Sequence, residues 1–184
     1  LENDLKNWEI QENGMLHCRG IHGRSDLVTD RHFRNFEFKF EYRTEKFGTS
    51  GVFYRINLDS DWLTHGAIEF EISDSKSDEY LTRNTAGAIA SFMPAERNTA
   101  KNYGSWNQAR IMVQDNRIQH WLNGAIVLDC EIGRDYWAKR LPQSNFRQVP
   151  PIAQAQTGPI GLQDHGHDIW FRNLKIRRLP EANK

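Results

Sequence analysis

Gly66-Ala67-Ile68-Glu69-Phe70-Glu71-Ile72-Ser73-Asp74 is the stretch that decides how this chain folds. Ile68, Phe70 and Ile72 alternate with Glu69, Glu71 and Ser73, the period-two pattern of a half-buried β-strand. One face is wholly apolar and belongs in a core. The other carries two carboxylates about 7 Å apart along the strand, at roughly 3.3 Å per residue. Like charges held that close repel, so at least one carboxyl should keep its proton above the usual range. The plainer alternative is a solvated face whose charges pair with neighbouring strands.

The same alternation extends outward from this strand. Phe36, Phe38, Phe40 and Tyr42 share one parity, with Glu37, Lys39, Glu41 and Arg43 on the other. An aromatic face of that kind reads as core. Gly14–Cys18, Asp26–Thr29, Ser50–Ile56, Gly87–Phe92, Trp106–Gln114, Arg117–Leu122, Ala125–Glu131, Gly158–Asp164 and Asp168–Leu179 complete a set of about a dozen short strands. Asn123-Gly124 is the strongest hairpin signal, because both residues tolerate the positive φ of a type I′ turn. Gly133–Arg140 is long enough for two helical turns. Many strands, one short helix and no linker predict a single all-β sandwich domain over 1–184.

Composition narrows the function classes. Formal net charge is zero, from 24 basic and 24 acidic residues, so no overall basic charge points to nucleic acid. No run of about 18 apolar residues is present to span a bilayer. Cys18 and Cys130 sit in separate strands, either as one disulfide or as two buried thiols. Six tryptophans include Trp62, Trp121 and Trp170, any of which facing outward offers a platform for a sugar ring.

Parity also sorts the chemistry. If Val52, Tyr54 and Ile56 point inward, Phe53 and Arg55 point out; if Ile160 and Leu162 point inward, Gln163 and His165 point out. Should these strands share a sheet with Glu69 and Glu71, its outer face gathers a cation, two carboxylates, an amide and an imidazole, an acid–base set. Phe53, Gln163, Asp74, Trp62, Trp121 and His120 are the candidate substrate contacts. His120 shares the parity of Ile118 and Leu122, so a satisfied core histidine is its simpler reading, and Asn173 between core positions suggests a bulge. The spacing Glu69-x-Glu71-x-x-Asp74 is similar to the acidic strand of laminarinase-type glucanases, whose retaining chemistry needs two carboxyls about 5–5.5 Å apart.

Several motifs occur in order: Thr49-Ser50-Gly51-Val52-Phe53-Tyr54-Arg55, Gly66 with Glu69, Ser105-Trp106-Asn107, His120-Trp121-Leu122-Asn123-Gly124, and Gly158 to Gly166 followed by Phe171-Arg172-Asn173. Together they resemble the 3-keto-disaccharide hydrolase family of the concanavalin A-like lectin/glucanase superfamily, over about Trp8 to Leu179. The resemblance implies a jelly-roll sandwich of two antiparallel sheets and a secreted or periplasmic bacterial protein whose signal peptide has been removed. It also implies cleavage of glycosides oxidised at C3 of the sugar. Many members carry Asn where Thr49 stands and Gln where Glu71 stands. On this reading Glu69, His165, Arg55 and Glu71 are the catalytic candidates, the substrate is a small carbohydrate, and a divalent metal is an option without a specific ligand set. A non-catalytic carbohydrate-binding module, or a glucanase acting on plain sugars, are the competing expectations.

Overall fold

A computed structural model of the chain describes residues 5–21, 25–57, 66–74, 83–144, 153 and 155–181. Its strands are β1 (Trp8–Ile10), β2 (Leu16–Cys18), β3 (Leu27–Val28), β4 (Phe36–Thr44), β5 (Thr49–Tyr54), β6 (Ile68–Ser73), β7 (Asn107–Gln114), β8 (Arg117–Leu122), β9 (Ala125–Glu131), β10 (Gly161–Leu162) and β11 (Ile169–Arg178). One short helix, α1 (Asp135–Arg140), follows β9. The strands form two antiparallel sheets: a seven-stranded sheet in the order β1-β2-β11-β4-β7-β8-β9, and a four-stranded sheet in the order β3-β10-β5-β6. The expected all-β sandwich is what forms, with a single short α-helix among the described residues.

The core lies between the sheets. Phe36, Phe40 and Tyr42 from β4, Ile111 and Val113 from β7, and Phe171 from β11 meet Val52 and Tyr54 from β5 and Ile68, Phe70 and Ile72 from β6. The Phe40 and Phe70 rings meet edge-on at 5.6 Å, one from each sheet. This contact fixes which face of β6 is outward, and so where Glu69 and Glu71 go.

The smaller features follow local chemistry. Asn123 and Gly124 turn the β8–β9 hairpin with φ of 49° and 86°. Asn173 takes φ 54° in a bulge that shifts the β11–β4 register between Arg172 and Lys175. Cys18 and Cys130 are both buried free thiols. They belong to β2 and β9, separated by the width of the large sheet, which explains why they do not pair. The expected strand over Gly87–Phe92 is replaced by an irregular segment with only isolated bridges at Ile89. Its main chain nevertheless runs along the outer edge of β6. Glu71 N–H donates to Ala88 O at 3.0 Å, Gly87 N–H to Glu71 O at 2.8 Å, and Ala90 N–H to Glu69 O at 3.0 Å. An exposed strand edge is thereby covered.

Candidate functional site

The outer face of the four-stranded sheet assembles row by row from backbone register. Val28, Gly161, Phe53 and Glu69 are cross-strand partners in one row. In the next, Gln163 N–H donates to Gly51 O at 2.9 Å, and Gly51 is opposite Glu71. In the third, Thr49 is opposite Ser73, and its hydroxyl shares a 3.1 Å hydrogen bond with His165 Nδ1. Glu69, Glu71, Gln163 and His165 therefore gather around the short stretch Thr49–Phe53. Phe53 is buried, in a small apolar cluster with Ile56 and Ala67.

Gly51 shapes this face. A Cβ added there would stand 2.7 Å from both Cγ and Cδ of Glu69, and closer still to its Oε1. No side chain fits beneath that carboxylate, so Glu69 leans across the glycine toward the Glu71 row. Glu69 remains half-buried, whereas Glu71 is buried. Burial first, and the Glu69 charge second, push the Glu71 carboxyl up to about 9. At neutral pH Glu71 is thus a neutral acid beside a second carboxyl, the asymmetry expected when two acids share a strand face.

Other expected members of the face lie elsewhere. β5 ends at Tyr54, and Arg55 adopts φ 54°, which breaks the alternation on which its expected position depended. Its guanidinium is buried and donates to the carbonyl of Asp115 in the β7–β8 turn. Arg55 is not a partner of Glu69. His120 is sealed in the core, where its Nδ1–H donates to Gly87 O and its Nε2 accepts from the Tyr54 hydroxyl, both at 2.8 Å. Burial lowers its pKa to about 4, so the ring is a neutral bridge between the sheets rather than a substrate contact. Trp121 belongs to the other sheet, on its outer face under the Arg110 guanidinium. Asp74 accepts hydrogen bonds from the Phe47 and Tyr103 main-chain N–H groups and ties two loops together. Trp62 lies outside the described residues.

Two features escaped the parity reading. Gly51 matters because its partner strand places a carboxylate above it, which nothing in the order of residues announces. Asp164, fully buried, accepts from Asn7 Nδ2 at 2.7 Å, Ser25 N at 3.2 Å and Gly166 N at 3.0 Å, anchoring the loop that carries His165. The Asp164-His165-Gly166 order is an Asx-turn signal, and this one was readable. Among the described residues no group of three or more His, Cys, Asp or Glu side chains is arranged to hold a metal ion, and no helix is long and apolar enough to cross a membrane.

Comparison with known proteins bears on the family and the fold. Residues 2–177 match the family model described as a 3-keto-α-glucoside-1,2-lyase-like domain. A 3-keto-disaccharide hydrolase of Bacteroides thetaiotaomicron is 31% identical over 204 aligned positions, spanning 94% of this chain and 70% of the relative. Among solved structures, a candidate glycosyl hydrolase from Parabacteroides distasonis superposes with a TM-score of 0.84 at 23% identity, over 96% of this chain and 85% of that one. The β-glucanase of Bacillus licheniformis shares the fold with a TM-score of 0.57 at 12% identity, over 95% and 83%. The sandwich is therefore of the glucanase-like jelly-roll type.

Proposed function

This chain belongs to the family of 3-keto-α-glucoside-1,2-lyase-like domains, and from that premise we propose that it cleaves 3-keto-glycosides by elimination across C1 and C2, followed by hydration. A ketone at C3 acidifies the hydrogen on C2. Glu69, as the ionised carboxylate, removes that proton, and the electron pair delocalises onto the C3 oxygen as an enolate. Glu71, neutral at pH 7, donates a hydrogen bond to that oxygen as its charge develops. The enolate then re-forms the ketone and expels the C1 substituent, with His165 protonating the departing oxygen. Water adds across the resulting C1=C2 bond, hydroxyl to C1 and hydrogen to C2, so the net change is hydrolysis. Gln163 and Thr49 border the same rows and serve to orient the sugar. We further propose, from the family resemblance, a secreted or periplasmic location, which fractionation of the native host would test.

The observation that carries this reading is the seating of the half-buried Glu69 carboxylate over Gly51, beside the buried carboxyl of Glu71. A conventional retaining glycosidase also uses two carboxyls, so the substrate must discriminate. Wild-type protein is incubated with a 3-keto-disaccharide and its unoxidised counterpart in deuterium oxide. Cleavage of the keto sugar alone, with deuterium at C2 of the product, supports elimination. Cleavage of the plain sugar, or release of product without label at C2, overturns it, and binding without cleavage would instead mark a carbohydrate-binding module. Glu69→Gln should abolish turnover while leaving the circular dichroism spectrum unchanged.

A further inference from the structure

On the opposite side of the molecule, the outer face of the seven-stranded sheet carries a second constellation, unrelated to the carboxylate pair. Lys175 of β11 is the cross-strand partner of Lys39 of β4, Lys39 of Arg110 of β7, and Arg110 of Trp121 of β8. Three cations stand side by side in one row. Like charges directly opposite one another destabilise a sheet, so such a row needs a reason. The flanking rows supply Glu37 and Glu41, but both are engaged. Glu37 accepts from Arg177 Nε at 2.8 Å and is 2.9 Å from Lys39 Nζ, while Glu41 accepts from Arg172 Nε at 2.7 Å and Asn173 Nδ2 at 3.0 Å. Arg110 reaches Glu37 only at 3.9 Å. In these rows five cations therefore face Glu37, Glu41 and, at the β9 end of the Glu37 row, Asp129, which Arg117 and Gln119 already engage, although the whole chain is electrically balanced.

The row borders a depression of about 520 Å³, lined among others by Lys39, Arg110, Trp121, Lys175, the amides of Gln108 and Asn173, and the carboxylate of Glu41, which Arg172 and Asn173 already engage. That volume suits a small molecule of one or two rings. Arg110 Nε and Trp121 Nε1 are buried and, among the described residues, find no hydrogen-bond acceptor. Buried donors without acceptors are costly and uncommon. Both donors are covered by side chains, with the Arg110 guanidinium stacked 4.1 Å over the Trp121 ring, so a ligand oxygen bearing negative charge would engage the exposed ends of the cation row, while the Gln108 amide suits a sugar hydroxyl.

We propose that this depression binds a saccharide carrying a sulfate or a carboxylate, at a site separate from the one where bonds are broken. Cations in a row supply the charge complement, and the confined volume favours a short acidic sugar over an extended polyanion. The site would hold an acidic portion of a larger glycan, or an acidic sugar in its own right, on the sheet opposite Glu69.

Isothermal titration at low and high salt tests this with four probes: a sulfated disaccharide, a uronic acid disaccharide, their neutral counterpart, and inorganic sulfate. A short DNA duplex is added as a competitor. Salt-sensitive binding of one or both acidic disaccharides is expected, and which of them binds identifies the anionic group. Lys175→Glu should weaken it at least tenfold while turnover of a 3-keto-glycoside stays unchanged. Trp121→Phe, which replaces the indole by a smaller ring and so loosens the seat of the Arg110 guanidinium, should weaken it several-fold and serves if the first variant fails to fold. Equal binding of the neutral sugar, equal binding by Lys175→Glu, sulfate binding as tightly as the sugars, or displacement by the duplex at lower concentration would each overturn the proposal.

Discussion

The carboxylate of Glu69 lies directly over the α-carbon of Gly51, within the space any side chain at position 51 would take. Replacing Gly51 by Ala must therefore move Glu69, since the added Cβ meets the body of the side chain and not just its flexible tip. A base displaced by even an ångström loses much of its advantage. We expect Gly51→Ala to lower kcat by about 10²-fold with a much smaller change in KM, measured on a 3-keto-disaccharide. Unchanged kcat would mean that the posture of Glu69 is irrelevant to turnover.

Glu71 should behave at neutral pH as a group without charge, which is also what Gln provides. Glu71→Gln is expected to retain activity within about tenfold near pH 7, whereas Glu71→Ala, which leaves no donor, should lose about 10²-fold, the cost typical of removing one oxyanion donor. Wild-type activity should fall as pH rises through about 9, where the carboxyl ionises. That alkaline fall should be absent in Glu71→Gln, and its persistence there would assign the titration to another group.

Stability should follow the same carboxyl. Because the folded pKa is raised from 4.5 to about 9, the folded state binds more protons than the unfolded state between those values. Its contribution is full below pH 4.5 and is lost as pH rises toward 9, with a slope of roughly 1.4 kcal/mol per pH unit. Denaturant midpoints measured from pH 5 to 9 should therefore decline more steeply in wild type than in Glu71→Gln. Parallel curves would show that Glu71 is already ionised in the native protein.

His120 acts with the opposite sign. Its folded pKa is lowered from 6.5 to about 4, so its contribution is present above pH 6.5 and lost as pH falls toward 4. Tyr54→Phe removes the hydroxyl that donates to His120 Nε2 and leaves a buried acceptor empty, at a cost of about 1–3 kcal/mol. Chemical denaturation at pH 7 checks that loss. No loss would mean that the bridge between the sheets contributes nothing.

Much of this was legible in the sequence. Alternation in β4 and β6 identified the core faces, because in a strand parity is geometry, and Asn123-Gly124 carried its turn in its own backbone preferences. Parity also brought Glu69, Glu71, Gln163 and His165 to a common face. It failed for Arg55 because parity holds only while the strand continues, and a positive φ at an arginine has no signature in residue type. It could not place Trp121 either. Alternation tells which way a side chain points from its sheet, not which sheet the strand joins, and that depends on pairings between distant segments. The acidity of Glu71 was half legible: the nearby charge could be read from spacing, but burial, the larger cause, needed the folded chain.

The main-chain bonds from Gly87, Ala88 and Ala90 to β6 have one more consequence. They leave that flank of the small sheet with few free partners for a strand from a neighbouring molecule, so assembly by sheet extension is disfavoured beside the acidic residues. The plank bearing Glu69 and Glu71 is held from both sides, by β5 and by this segment. On the proposed reading a glycan would have to conform to a fixed pair of carboxyls, and discrimination between substrates would fall to whatever surrounds them.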